Sequence, residues 1–184
     1  NTNHFLLMQT GNALKSSITK VEERLEKNKR RFAKQLKTEV PLLRDEIYES
    51  RASLGHDMIA DVNASPHAVT DYLQSIEDLL LGHETQARDY QRYQKALVLE
   101  VTAFDELDEV KADLMVKQDM WGNLGGWRRL TVNWCESPLE QLNVQMMENE
   151  ISKYFRSASI CKRKLTGNPV AELLKDTVGA FKTT

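Results

Sequence analysis

Four histidines and two cysteines are the residues best able to ligate a metal or attack a substrate: His4, His56, His67, His83, Cys135 and Cys161. No two histidines stand at the i, i+4 spacing that puts a pair of zinc ligands on one helical face, and there is no Cys-x-x-Cys. Cys161 precedes the basic run Lys162-Arg163-Lys164, a setting that can lower a thiol pKa, although no His or Lys is placed to act as its base. A helix cysteine packed partly inside is the plainer reading. The carboxylates Asp105, Glu106, Asp108, Glu109 and Asp113 cluster like calcium ligands. They lack the central Gly and loop spacing of such a site and read as a solvated helix face. Trp121-Gly122-Asn123-Leu124-Gly125-Gly126-Trp127 suggests a glycine-rich loop, but a phosphate loop also needs Gly-Lys-Ser/Thr, and no Gly-Lys occurs. Neither is there a Gly-x-Ser-x-Gly elbow. Asn63-Ala64-Ser65 matches a glycosylation sequon, yet Pro66 follows it and no secretion signal is present. The residues alone offer no catalytic or metal site and point to a helical scaffold or interaction segment.

The elements that would carry these residues are long helices. The 184 residues hold only 8 Gly and 4 Pro, with 41% hydrophobic and 28% charged residues. Average usage is about 7% Gly and 5% Pro, and a hairpin-rich fold needs turns about every 8–12 residues. The expected fold is all-α, an elongated bundle of long antiparallel helices. The first helix carries a stripe at Leu7, Leu14, Ile18, Val21, Leu25, Phe32, Leu36, Val40, Leu43 and Ile47, interrupted once at Asn28 or Lys29. Pro41 predicts a kink or break near Val40, and Gly55 an end. A second helix is expected from Ser65-Pro66 to Gly82, striped by Val69, Leu73, Ile76 and Leu80. The third runs from about Glu84 to Met120, with Tyr93, Leu97, Val101, Phe104, Leu107, Val110 and Leu114 inward. Ser137-Pro138 and Asn168-Pro169 each predict another start. Five or six helices account for the chain. They group as a tail-like bundle over residues 1–120 and a Trp-rich segment over 121–184.

Charge narrows the function classes. Residues 1–37 carry a net +6, residues 38–120 a net −11 and residues 121–184 a net +3, for −2 overall. Helices of opposite sign attract when packed side by side. A nucleic-acid footprint calls for a domain pI above about 9, and this chain has a pI near 6.1. The basic amphipathic stretch 14–37 has the character of a membrane-surface or calmodulin-binding helix, but it lacks Trp and is no richer than a core-facing stripe. A helix packed in a bundle is preferred. No apolar run reaches the length that spans a bilayer, and Asn1-Thr2-Asn3-His4 does not open a signal peptide. With no initiator Met and a helix-like end at Phe181-Lys182-Thr183-Thr184, the chain reads as an excerpt of a longer protein. Two cysteines fit a reducing compartment.

An ordered set of residues in the second half adds a family. A long helix with Tyr90, Phe104, Leu107 and Val110 leads to Lys117-Gln118-Asp119-Met120-Trp121, followed by Trp127, Trp134, Pro138-Leu139 and Leu142-Asn143. A helix ending in basic residues comes next, then Asn168-Pro169-Val170, Leu173-Leu174-Lys175, Val178 and Phe181-Lys182. From Tyr90 to Phe181 this resembles the second N-terminal region of dynein heavy chains, where the tail meets the linker, and it looks axonemal rather than cytoplasmic. Leu139, where the family more often has Phe, and the Gly125-Gly126 pair depart from the pattern. Residues 1–89 match only as generic tail-like helices.

The resemblance implies a non-catalytic tail or linker-base segment of an ATP-driven, minus-end-directed microtubule motor of cilia or flagella, with Trp121, Trp127, Trp134, Pro138 and Phe181 as structural anchors. It implies ATP and Mg for the AAA+ ring of the parent chain, with none in this segment. The implied partners are dynein intermediate and light chains or neighbouring heavy chains, with microtubules reached through the parent chain and no nucleic acid or membrane. The implied location is the cytoplasm, cytoskeleton and ciliary or flagellar axoneme. A Leu-Pro motif is expected just beyond Thr184. Helix lengths and tryptophans alone also allow a spectrin-like scaffold or tethering protein without a motor. Trp134→Ala is expected to cost about 3–5 kcal/mol, the figure for deleting a large, fully buried aromatic.

Overall fold

The computed structural model describes residues 2–182, with side chains from residue 13 onward except that of Leu139. Leu7 of the expected stripe therefore lies outside the described side chains. The described residues form five α-helices: α1 (Thr2–Ser53), α2 (Pro66–Ala96), α3 (Asp105–Glu136), α4 (Val144–Lys164) and α5 (Pro169–Lys182). Short 3-10 turns occupy Asp57–Ile59 and Leu139–Gln141, and no strand occurs among the described residues. The all-α expectation holds. Two compact units divide the chain, residues 1–44 with 85–103 and residues 45–84 with 104–184.

Helix α1 continues past Pro41 to its end at Ser53, so the proline does not break the helix. Leu36 and Leu43 are buried, as are Ala87 and Tyr90 from α2, while Arg44 donates through Nη2 to the Ala103 carbonyl at 2.9 Å. The stripe is not buried throughout. Leu14, Ile18, Val21, Leu25 and Phe32 keep 47–64% of their surface, which corrects the expectation that this stretch packs in the bundle.

The expected third helix also needs correction, because 97–104 is not helical and α2 ends at Ala96. Leu97, Val101 and Phe104 keep helical spacing across this gap, which is why the pattern hides it. Leu99 N–H donates to the Gln94 carbonyl at 2.8 Å and Val98 N–H to that of Lys95 at 3.1 Å, a double closure that places Val98 at φ +56°. Three further bonds pin the loop: Gln94 Nε2 to Thr102 Oγ1 at 2.8 Å, Thr102 N–H to Gln94 Oε1 at 2.9 Å, and Gln91 Nε2 to the Thr102 carbonyl at 3.0 Å. A β-branched residue in the left-handed region is strained by about 1–2 kcal/mol, and Val98 is 92% exposed, so no packing offsets this. Val98→Gly should therefore raise stability by about 0.5–1 kcal/mol after the extra chain entropy of glycine. A urea midpoint that stays level or falls would contradict the strain.

In the second unit, α4 packs on α5 and both pack on α3. Gly82 does not end a helix; α2 runs through it from Pro66, with Val69, Leu73, Ile76 and Leu80 buried as expected. Nor is 121–127 a loop. α3 continues through Gly122, Gly125 and Gly126, because Trp121, Leu124 and Trp127 face the core at a spacing of one turn. Gly126 gives close approach rather than a turn: a Cβ there would lie 2.6 Å from the Tyr154 hydroxyl, and that side chain would have to shift. The acidic cluster is explained by Asp105, Glu106 and Asp108 standing in the first turn of α3, where carboxylates complement the helix dipole.

The two remaining start signals diverge. Asn168 caps α5 as expected, its Oδ1 accepting from Val170 N–H at 2.9 Å and Ala171 N–H at 3.2 Å. Ser137 does not open a helix. Its hydroxyl donates back to the Asn133 carbonyl at 2.7 Å, Pro138 leads only into a 3-10 turn, and Asn143 caps α4 by accepting from Met146 N–H at 3.1 Å.

Candidate functional site

Among the described residues, no group of three His, Cys, Asp or Glu side chains is placed to hold a metal ion. The structure does bring together a Ser-His-Glu series that the sequence reading missed. Ser50 Oγ lies 3.4 Å from His83 Nε2, and His83 Nδ1 lies 3.5 Å from Glu46 Oε2. The only local signal was the i, i+4 spacing of Glu46 and Ser50 on α1. Ser50 is only 5% exposed, and its hydroxyl donates to the Glu46 carbonyl at 3.1 Å. Both its proton and its access are committed to packing, so the series ties α1 to α2 instead of forming a nucleophile.

Cys161 is buried, and burial pushes its thiol pKa up, with Asp119 adding to the rise and Lys164 opposing it. The basic run after it therefore does not activate it. Cys135 is an exposed free thiol.

Four of the five sequence-derived anchors fall into two groups. Trp121 is buried and donates through Nε1 to the Ile59 carbonyl at 3.0 Å, closing α3 over the 3-10 turn that follows α1. Trp127 is also buried and sits at the centre of an aromatic cluster. Its ring centroid lies 5.2 Å from Phe181 and 5.9 Å from Trp134, both edge to face, and 5.4 Å from Tyr154. The cluster joins α3, α4 and α5. Trp134 is only half-buried, so Trp134→Ala should cost less than the full-burial figure, and Phe181 is exposed on one side. Pro138 is exposed and joins neither group. Tyr154, which was not among the expected anchors, is the fourth member of the cluster.

A groove of about 530 Å³ between α2 and α3 is lined by Leu81 and Met115 together with Glu77, Asp78, Glu84 and Asp108. Lys111 neutralises part of that charge, its Nζ lying 2.7 Å from Glu84 Oε2. Such clusters and grooves suit packing and docking rather than bond chemistry.

No family model matches the chain, and no solved structure matches it. Among curated proteins, human dynein axonemal heavy chain 6 is 26% identical over 170 residues, covering 92% of this chain. The chain is a dynein heavy-chain segment. Dynein axonemal heavy chain 1 is 18% identical to it over 106 residues in human and 109 in mouse, covering 58% and 59% of the chain. This heavy-chain segment spans only 4% of the length of the first relative and 2–3% of the others. A match over 170 residues also takes in most of residues 1–89, so the dynein likeness reaches beyond the Trp-rich stretch from which the sequence suggested it. No described helix is long and apolar enough to cross a membrane.

Proposed function

We propose that this segment is a non-catalytic helical piece of an axonemal dynein heavy chain, lying where the tail meets the linker and passing force between them. The observation that carries the reading is the relation to human dynein axonemal heavy chain 6 over 92% of the chain. The packing suits the role. Load applied along α3 reaches α4 and α5 through Trp127 and its ring partners and through Asn123 Nδ2, which donates to Ser157 Oγ at 2.8 Å. Many buried contacts share the load, so no single bond has to bear it. In this reading ATP and Mg act in AAA+ modules elsewhere in the parent chain, which also supplies the microtubule contact. Intermediate and light chains or neighbouring heavy chains assemble with the tail, and the cilium or flagellum is the site of action.

Reading the parent gene past Thr184 tests the proposal. A Leu-Pro motif soon after, with P-loops of AAA+ modules further on, is the expected result. A reading frame that closes without a P-loop overturns it. Within the parent motor, Trp127→Ala should leave ATP turnover by the ring intact while lowering the force transmitted to the tail.

A further inference from the structure

The exposed part of α1 has the spacing of a coiled-coil seam. From Leu14 the apolar residues Ile18, Val21, Leu25 and Phe32 follow at steps of 4, 3, 4 and 7, with Asn28 in the skipped position. A heptad with Ile18, Leu25 and Phe32 at a puts Leu14, Val21 and Asn28 at d. Every other residue from Lys15 to Arg31 is polar, so the apolar face is a seam two positions wide. An interfacial membrane helix presents a broader apolar face, often with Trp. After Phe32 come the half-buried Ala33 and, four positions on from Phe32, the buried Leu36. Leu36 and Leu43 stand at the same angle around the helix as Ile18 and Leu25, so the exposed seam is the buried stripe continued along the same face.

The residues flanking the exposed seam decide what can cover it. The e positions are Lys15, Glu22 and Lys29 and the g positions Ser17, Arg24 and Arg31, four basic residues against one acidic. Lys29 also pairs along the helix with Glu26 at 2.9 Å, and Arg31 lies 5.6 Å from the ring centroid of Phe32. A second copy laid along the seam would oppose basic residues to basic residues in either orientation. The stripes of α2, α3 and α5 are already buried, at Leu73, Leu114 and Leu174 among others.

We infer that residues 14–32 dock an amphipathic helix with acidic residues beside its own seam, supplied from outside these 184 residues. The seam supplies the apolar contact, and Arg24, Lys29 and Arg31 select the partner by charge. The inference stands on the first unit alone and does not depend on the role proposed above.

A labelled peptide of about four heptads, with Leu at a and d and Glu at e and g, tests it by fluorescence anisotropy against the whole chain. Saturable binding is expected, weakening about tenfold or more when salt rises far enough to shorten the Debye length severalfold. The same peptide with Lys at e and g should not bind. Leu25→Glu should abolish binding while far-UV circular dichroism stays unchanged, since Leu25 is exposed. The double change Arg24→Glu, Arg31→Glu should transfer binding from the Glu peptide to the Lys peptide. Equal binding of both peptides, or binding of neither by a fully helical chain, overturns the inference. So does capture by phosphatidylserine vesicles in place of the peptide, or self-association that Leu25→Glu removes.

Discussion

Trp121→Ala lowers the stability of the second unit by about 3–5 kcal/mol, the cost of deleting a large aromatic from a packed core. Trp121 keeps 1% of its surface, so nearly the whole indole is lost from the interior. The Ile59 carbonyl loses its indole donor in a turn whose own side chain is buried. Trp121→Phe separates the two contributions: it retains most of the ring contact and should cost about 1–3 kcal/mol for the carbonyl left without its partner. Urea unfolding followed by far-UV circular dichroism reads both. A loss below about 1 kcal/mol for the alanine variant would mean that α3 does not close over the turn.

Trp127→Ala has a comparable cost, about 3–5 kcal/mol, by a different route. It removes the ring shared by Phe181, Trp134 and Tyr154, so three aromatic contacts go at once. Edge-to-face pairs contribute about 0.5–1.5 kcal/mol beyond the area they bury. A double-mutant cycle between Trp127→Ala and Phe181→Ala should therefore show coupling in that range. Phe181 is exposed on one side, so its single replacement should cost much less than that of Trp127. Additive losses would show that α5 is held to α3 by its buried Val170, Leu174 and Val178 alone.

Features set by neighbouring residues were the ones legible in the sequence. Asn168-Pro169 starts a helix because the asparagine side chain reaches the amides two and three residues on, whatever the rest of the chain does. Ser137-Pro138 has the same form and fails, because its hydroxyl can equally donate backward to Asn133 and Asn143 offers a competing cap. The glycines at 122–126 suggested a loop since propensity counts each one as a loss of roughly 1 kcal/mol, but the burial of Trp121, Leu124 and Trp127 outweighs it. The break at 97–104 was hidden by apolar residues that keep helical spacing across a non-helical gap. For the stripe at 14–32, periodicity correctly marked an apolar face. It carries no information on whether the partner lies in the same chain.

The same limit applied to function. Residue chemistry reached only a scaffold, while the order of Trp121, Trp127, Trp134 and Pro138 pointed to dynein, a relation now seen over 92% of the chain. Pro138 contributed to that recognition without contributing to the core, being exposed. The Ser50–His83–Glu46 series was out of reach because it depends on which turn of α2 faces α1.

The bonds that hold residues 97–104 also set how that loop moves. Its amides at Leu99 and Thr102 donate to Gln94, one to the backbone and one to a side chain that is itself buried. Neither donor can exchange its hydrogen with solvent until the end of α2 loosens. The loop should then open together with the first unit and not ahead of it, which makes a connection with an exposed tip at Val98 a slow-exchanging, protease-resistant joint.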